Sequence, residues 1–550
     1  MSVPRTIVGA ACAVCLVACS ATNDDASSGS GNSGSGASGQ GGGIGIGGEG
    51  GGFTGSGAGG PSCKVTESAD DAVPECTEKA PPNAFSPTEQ WTWTAPPAAP
   101  NSLASGSITT PLVANFTDDN GDGEVDLCDV PDVVVTAIED MQLVGEWLTF
   151  SGTMHLLSGD SGVEKLTFGG KVDPNVNPAL GDIDGDGLPE VVAADPTGHL
   201  VAFENDGQLK WTGAMGAWFT VHNSYCTALA IYDLDGDGSV EILGAFEVFD
   251  KNGQLLWGLP GNAAEFPQAA YWCPTPTAAD LDGDGKLEVL FGHATYHHDG
   301  TPYWTIPGNP GQPHVGNFDT DPEPEVIVNT ADGITLVEAN GTVVFGPVRP
   351  TGGTASANCW GKPGVVHDFD GDGKADHATG SCTDYSVYRM AGTANAMWTN
   401  SVSDMSGLAT GTAFDFLGDG VADAIYADEQ QVYVFDGQSG QLEMSAPRAS
   451  GTLIEYPVVA DIDNDGSAEF VFVSNYFSGA TGPTVTALRD QDDRWIQARR
   501  IWNQHAYHVT NVREDSVIPK QQKKSWQLLN TFRTNSQIEG GGDCDPATPK

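Results

Sequence analysis

The chain has few basic residues: 23 Lys and Arg stand against 73 Asp and Glu in 550 residues, a formal net charge of −50. Such an acidic surface repels polyanions, so we expect neither nucleic acid nor an anionic lipid surface as the main partner. The common catalytic patterns G-x-S-x-G, H-E-x-x-H and the P-loop are missing too. Helical periodicity is nearly absent outside 494–533. The sequence therefore favours an all-β chain and assigns no catalytic or organic-cofactor-binding residues.

Long apolar runs are confined to the N-terminus. Arg5 precedes an apolar stretch from Ile7 to Ala18, and Leu16-Val17-Ala18-Cys19 closes it. This resembles a bacterial lipobox, which predicts a signal peptide over 1–18 and lipidation of Cys19; an ordinary secretory signal is the alternative. Ser20 favours export to the outer membrane and cell surface. The lipid would then be the chain's one link to the membrane.

Residues 19–62 consist mostly of Gly, Ser, Ala and Asn. Such a segment cannot bury a core, so we predict a disordered tether. A cysteine-containing segment, 63–110, leads into the main domain at 111–535, and 536–550 form an acidic tail predicted to be mobile. Eight cysteines lie beyond the export segment, and this even number predicts disulfides in an exported chain. The expected pairs are Cys63–Cys76, Cys226–Cys273 and Cys359–Cys382. None of these eight forms a C-x-x-C pair, which argues against zinc.

An acidic motif, D-x-D-x-D-G-x-x-[DE], recurs eight times. Its copies begin at 118, 182, 233, 280, 317, 368, 415 and 461, roughly every 47 residues. Oxygen ligands at positions 1, 3, 5 and 9 of a tight loop suit Ca²⁺, and glycine at position 6 permits the sharp turn. An EF-hand would instead need a glutamate at position 12 and flanking helices. The predicted metal ligands are Asp118, Asn120, Asp122, Asp126, Asp182, Asp184, Asp186, Glu190, Asp233, Asp235, Asp237, Glu241, Asp280, Asp282, Asp284, Glu288, Asn317, Asp319, Asp321, Glu325, Asp368, Asp370, Asp372, Asp376, Asp415, Asp419, Asp423, Asp461, Asp463, Asp465 and Glu469.

The segments between the loops are rich in strand formers. Runs such as VVAAD after Glu190 and FVFVS after Glu469 read as buried strands, and Asn-Gly or Asp-Gly turns such as that in FENDGQLKW predict hairpins. About four strands per unit, repeated, predict a β-propeller of about eight blades, alternatively seven. Closure is expected to pair Trp91-Thr92-Trp93 with the segment after Val485, which removes free sheet edges.

These repeats resemble the FG-GAP/VCBS propeller repeats related to the integrin α-subunit head. The resemblance covers about 110–535, and it implies that the loop side chains hold structural Ca²⁺ between two strands of each blade. The segment 499–535 is similar to the closing segment of bacterial proteins of this type. Two loops depart from the pattern, because Pro322 replaces the glycine of loop 5 and Leu417 a ligand of loop 7. We expect these two sites to be weaker or empty.

The sequence is compatible with two functions. The first is a non-catalytic adhesion module that binds a protein or glycan through its exposed loops. The second is a calcium-dependent polysaccharide lyase, because one lyase family has a similar calcium-containing propeller. His505 and His508, with nearby arginines, form the densest histidine cluster, which is expected to pack within the closing blade. His297 and His298 are expected to be solvated at a hairpin turn.

Overall fold

The computed structural model describes residues 79–81, 84–144, 147–216, 226–259, 273–350, 353, 356, 359–404, 408–453, 455–477 and 479–536. The predicted signal peptide, Cys19, the tether, the Cys63–Cys76 pair and residues 537–550 lie outside these ranges. No helix among the described residues is long and apolar enough to span a membrane.

In the described part of the chain, thirty-five strands form eight blades and one small sheet. The first two strands are β1 (Pro87–Trp93) and β2 (Ala104–Gly106). Blade 1 contains β3 (Leu112–Ala114), β4 (Asp132–Val144), β5 (Trp147–Ser158) and β6 (Glu164–Thr167). After β7 (Val176–Asn177), blade 2 contains β8 (Ala179–Gly181), β9 (Glu190–Ala194), β10 (His199–Phe203) and β11 (Leu209–Met215). Blade 3 contains β12 (Thr227–Tyr232), β13 (Glu241–Gly244), β14 (Glu247–Asp250) and β15 (Leu255–Gly258), and β7 pairs parallel with β12.

The remaining blades repeat this order. Blade 4 contains β16 (Thr277–Ala279), β17 (Glu288–Leu290), β18 (Ala294–Tyr296) and β19 (Pro302–Thr305). Blade 5 contains β20 (Gly311–Gly316), β21 (Glu325–Thr330), β22 (Gly333–Glu338) and β23 (Val343–Val348). Blade 6 contains β24 (Gly364–His367), β25 (Asp376–Ser381), β26 (Asp384–Arg389) and β27 (Asn395–Ser401). Blade 7 contains β28 (Gly411–Phe414), β29 (Asp423–Ala427), β30 (Gln431–Phe435) and β31 (Leu442–Pro447).

Blade 8 joins the two ends of the described chain. Its inner strands are β32 (Val458–Ala460), β33 (Glu469–Val473) and β35 (Val485–Asp490), and β1 pairs antiparallel with β35 as the outermost strand. Strand β34 (Asn475–Phe477) pairs with β2 in the small sheet. The predicted closure is therefore confirmed, and eight blades are present rather than seven. The inner strands of the blades are buried along their length, because the core lies between adjacent blades.

The segment 495–535 does not form strands of the closing blade. It forms single β-bridges with the inner strands of several blades. Trp502 pairs with Val113 of blade 1, and Phe532 pairs with Val366 of blade 6. Its helical content is one short helix, α1 (Ser525–Leu528). Arg533 is fully buried and donates to the Gly364 carbonyl at 3.0 Å and to Thr275 Oγ1 at 2.9 Å. The segment thus works as a belt that ties the inner strands together.

Two of the expected disulfides are present. Cys226 bonds to Cys273, linking the entries to the inner strands of blades 3 and 4, and Cys359 bonds to Cys382 at blade 6. Cys128 is also disulfide-bonded. Disulfides of this kind persist in oxidising compartments, which agrees with export.

Candidate metal centres

Each acidic loop joins the innermost strand of a blade to the second strand. The first aspartate organises the loop by accepting backbone N–H groups: Asp182 accepts from Gly185 at 2.7 Å and from Gly187 at 3.0 Å. Both glycines have φ of +89°, a conformation that side chains disfavour. Asp233 and Asp368 make the same pair of bonds in their loops. The motif therefore folds as the spacing predicts.

The ninth carboxylate is fixed at the start of the second strand. One oxygen accepts the backbone N–H of the second loop residue, as in Glu325 with Phe318 at 2.7 Å and Glu469 with Ile462 at 2.9 Å. Glu190, Glu241 and Glu288 make the same bond. The other oxygen of the ninth carboxylate points towards the carboxylates of the loop. Ligand atoms lie within 4.8 Å of one another in the sets Asp182/Asp184/Glu190, Asp233/Asp235/Glu241, Asp280/Asp282/Asp284 and Asp319/Asp321/Glu325.

Several of these oxygens are buried and have no hydrogen-bond partner among the described residues. They are Glu325 Oε1, Asp376 Oδ2, Asp463 Oδ1 and Glu469 Oε1. Burial raises the pKa of Glu325, Asp376 and Asp463 to about 7 and that of Glu469 well above its usual range. An ionised buried carboxylate is costly unless a cation compensates it. An all-oxygen donor set with such unpaired oxygens fits a hard cation, which makes Ca²⁺ a suitable occupant of blades 5, 6 and 8.

Loop 5 keeps its carboxylates together in spite of Pro322. Asp319, Asp321 and Glu325 still converge, while the Asn317 amide donates to the Asp321 carbonyl at 2.6 Å. Loop 7 lacks a side-chain ligand at Leu417, yet its buried Asp423 is surrounded by other acids. Burial raises the pKa of Asp423 well above its usual range, and the negative charge of Glu443 raises it further. The predicted weakness of both sites stays a prediction.

Blades 3 and 4 differ in what surrounds the loop. Burial, with the neighbouring aspartates, raises the pKa of Glu241 in blade 3 to about 8. In blade 4, His297 is less solvated than expected, because its Nδ1 lies 3.0 Å from Glu288 Oε1. Lys524 from the belt reaches Asp280 at 3.2 Å. Histidine adds a nitrogen donor to an otherwise oxygen-only set.

Loop 1 departs most from the pattern. Asp118 accepts the usual bonds from Gly121 at 2.7 Å and Gly123 at 2.9 Å. Asp126, at position 9, does not open a strand; it accepts from the Cys128 N–H at 2.9 Å, and β4 begins only at Asp132. Asp129, which the motif does not include, accepts from the N–H groups of both Asp119 and Asp126 at 2.8 Å. Asp129 is the twelfth residue of the loop, counted from Asp118, and an acidic residue at this position could have been noticed in the sequence.

Two lysines, also outside the motif, lie against the loop carboxylates of blades 1 and 2. Lys210 contacts Asp184 at 2.6 Å and Glu190 at 3.0 Å, and Lys165 contacts Asp132 at 2.8 Å. Both come from the outermost strand of the blade. Loop spacing alone could not reveal them, because the contact depends on strand pairing.

The histidine cluster is inaccessible. His505 and His508 belong to the belt and are 0% and 3% exposed. Burial, with Arg499 nearby, lowers the pKa of His508 to about 3. These side chains pack in the interior, as expected, but against different blades: His508 stacks on Tyr232 of blade 3, and His505 contacts Tyr456, just before β32 of blade 8.

The strand order assigns the two faces of the ring. The acidic loops and the turns between the third and fourth strands lie on one face, the loop face. The hairpins between the second and third strands and the links between blades lie on the opposite face, the connection face. The long β4–β5 hairpin of blade 1 projects on the connection face, with Leu143 50% and Val144 60% exposed near its tip. Two links that are long in sequence begin and end on this face, one at Gly258 and Thr277 and the other at Val348 and Gly364.

Comparison with known proteins agrees with this architecture. An FG-GAP-like repeat model matches residues 182–244 and 415–472, so the chain contains FG-GAP-like repeats. No curated protein sequence matches the chain. The crystal structure of the Vibrio cholerae biofilm matrix protein Bap1 is similar, with 21% identity and a TM-score of 0.65, over 82% of this chain and 99% of that one. The rhamnogalacturonan lyase YesW aligns over 87% of this chain and 83% of its own, with 16% identity and a TM-score of 0.48.

Proposed function

We propose that this protein is an exported, calcium-stabilised β-propeller that binds a protein or glycan at the cell surface without transforming it. The observation that supports calcium most directly is the set of buried, unpartnered carboxylate oxygens on Glu325, Asp376, Asp463 and Glu469. Each lies where the first two strands of a blade meet. The loop residues would hold Ca²⁺ there, and a bound divalent cation supplies the positive charge that offsets carboxylate repulsion.

The proposed site of recognition is the connection face. Its links differ in length from blade to blade, whereas the loop face repeats one acidic motif. Long loops on a rigid scaffold commonly provide binding surfaces. Bap1, which has a similar fold, is a biofilm matrix protein, and an adhesive role for this chain is compatible with that likeness. The lipid on Cys19 and the tether would hold the propeller at the outer membrane.

Burial of the histidine cluster supports binding over catalysis. His505 and His508 cannot reach a substrate while the belt is in place. The lyase hypothesis is tested by incubating the intact protein with a rhamnogalacturonan, with and without Ca²⁺, and following the absorbance of unsaturated products. Turnover would refute the proposal. Retention of the protein on a glycan array, or of a surface protein on the immobilised propeller, without turnover would support it.

Calcium binding is tested separately. Native mass spectrometry of the full chain is expected to show several Ca²⁺ ions, and excess EGTA is expected to lower the melting temperature substantially. Thermal unfolding that is unchanged in EGTA would contradict the structural role of calcium. Membrane fractionation of a Cys19→Ala variant tests the anchor, since loss of the lipid should release the protein from the membrane.

A further inference from the structure

All eight blades share an irregularity between their third and fourth strands. In blade 2, Ala202 pairs with Trp211 and Phe203 pairs with Leu209, so Lys210 is an extra residue. Such a bulge re-aims the side chain of the extra residue. The extra residues of blades 1 to 8 are Lys165, Lys210, Leu256, Tyr303, Val344, Met397, Glu443 and Gln90.

In blade 2 this bulge directs a lysine into the acidic loop. The Lys210 ammonium lies 2.6 Å from Asp184, 3.0 Å from Glu190 and 2.9 Å from Glu204. Asp184 and Glu190 occupy positions 3 and 9 of the motif, the same oxygens that a metal would need. The lysine side chain is 15% exposed and the Glu190 side chain 1% exposed. The three N–H groups of the ammonium can each donate to one of the three carboxylates, so all the donors of Lys210 are used.

Blade 1 repeats the arrangement with different acids. Lys165 contacts Asp132 at 2.8 Å and Asp119 at 2.7 Å. Asp132 opens the second strand, as the ninth carboxylate does elsewhere, and it accepts at 3.2 Å from the N–H of Phe116, which lies just before the loop; neither Asp119 nor Asp132 is among the predicted metal ligands. Its side chain is fully buried. The same bulge position therefore supplies a cation to the same strand junction in two neighbouring blades.

We propose that Lys165 and Lys210 are built-in cations that take the place of a divalent metal at the strand junctions of blades 1 and 2. The inference rests on the proposed calcium role of the other blades. In these two blades the positive charge at the strand junction is a lysine ammonium of the chain itself. The two blades therefore keep their geometry when calcium is withdrawn. In blades 3 and 5 the bulge residues Leu256 and Val344 carry no charge, so the carboxylates there are left to an ion; in blade 6, where the bulge residue is Met397, Arg389 pairs with Asp370 of the loop.

Two reciprocal substitutions test the proposal. Lys210→Met gives blade 2 the bulge residue that blade 6 has naturally, and Leu256→Lys gives blade 3 the residue of blade 2. Leu256 is 52% exposed, so the longer side chain can be accommodated. Lys171→Met is the control, because it removes one positive charge from a side chain that is 55% exposed and contacts Glu139 instead of a loop.

The measurement is the number of bound Ca²⁺ ions in the full-length protein by native mass spectrometry, with circular dichroism as the test of folding. We expect Lys210→Met to bind one ion more than the wild type, Leu256→Lys one fewer, and Lys171→Met the same number. A Lys210→Met protein that folds only when calcium is added would also support the proposal, since the ion then replaces the lysine.

Wild-type ion counts in both Lys210→Met and Leu256→Lys would overturn the proposal. The Leu256→Lys result stands even if Lys210→Met fails to fold under all conditions, because it concerns a different blade; an unchanged ion count in folded Leu256→Lys would then be sufficient to overturn it. A wild-type protein that binds no calcium would refute the proposed function itself. A wild type that binds calcium, with counts unaffected by either variant, would refute only the role of the lysines.

Discussion

The indole N–H of Trp304, on the outermost strand of blade 4, donates to the Ala339 carbonyl of blade 5 at 3.0 Å. Trp257 makes the same bond to His298 at 2.9 Å and Trp398 to Gly437 at 2.6 Å, each reaching the next blade. Trp91 of blade 8 donates to Gly159 of blade 1 at 2.5 Å and so carries the pattern across the closure. These tryptophans act as latches between neighbouring blades.

Each latch needs a glycine in the turn it meets. Gly341 has φ of +87°, and a Cβ placed there would lie 2.7 Å from Trp304 Cβ. Gly341→Ala should therefore destabilise the protein by about 1–3 kcal/mol, through backbone strain and displacement of the indole. Urea denaturation in the presence of calcium measures the loss. Gly392→Ala is the control, since Gly392 has φ of +71° and no atom of the described residues lies within 4 Å of where its Cβ would be. Equal losses in the two variants would argue against the latch.

The ninth carboxylate of blade 8 should have opposite effects with and without calcium. Glu469 is fully buried, and no residue in the described ranges hydrogen-bonds to its Oε1. In EGTA at neutral pH, Glu469→Gln should melt at a higher temperature than the wild type, because the buried carboxyl must either keep a desolvated charge or take up a proton on folding, and the amide avoids both costs. In calcium it should melt at a lower temperature, because a ligand is lost. Glu124→Gln, in an exposed part of loop 1 outside the motif positions, should show neither effect. A Glu469→Gln protein that is less stable in both conditions would contradict the metal role.

The repeat motif was sufficient to predict most of the fold. Its period indicated about eight blades, and the strand patterns after Glu190 and Glu469 placed the second strands of blades 2 and 8 correctly. The closure of β1 on β35 could also be predicted, because an unpaired edge is a liability in any sheet.

Other features could not be predicted from spacing. The belt is held by side chains such as Arg533 and by single backbone bridges, so it has no periodicity to detect. Lys165 and Lys210 approach the loops only because a bulge turns them inward. In loop 1, the insertion before Asp132 separates the motif from its strand, which the regular copies gave no reason to expect. Each of these features depends on contacts between residues distant in sequence.

Arg533 should be the most sensitive position of the belt. It is fully buried and also donates to the His505 carbonyl at 3.2 Å, in addition to its bonds with Gly364 and Thr275. Arg533→Lys keeps a charge but cannot reach these three acceptors at once, so we expect a loss of about 3 kcal/mol in unfolding free energy. Arg349→Lys, at a partly exposed side chain that contacts the Ala331 carbonyl, is the matched control and should change stability little. Equal stability of the two variants in urea would show that the belt does not hold the ring.

Asp173, which lies on the connection face before β7, should contribute to the pH dependence of stability. Burial, and to a lesser extent Asp195, raises the pKa of Asp173 to about 7, while its Oδ1 accepts the Asn175 N–H at 2.9 Å. Between about pH 4 and 7 the folded protein holds a proton that the unfolded chain has lost, so this group's contribution to stability falls as pH rises through that range and stays low above it. Asp173→Asn keeps the acceptor and cannot ionise. It should therefore melt at a higher temperature than the wild type at pH 8, and the difference should shrink towards zero at pH 4. A difference that is the same at both pH values would show that ionisation of Asp173 does not limit stability.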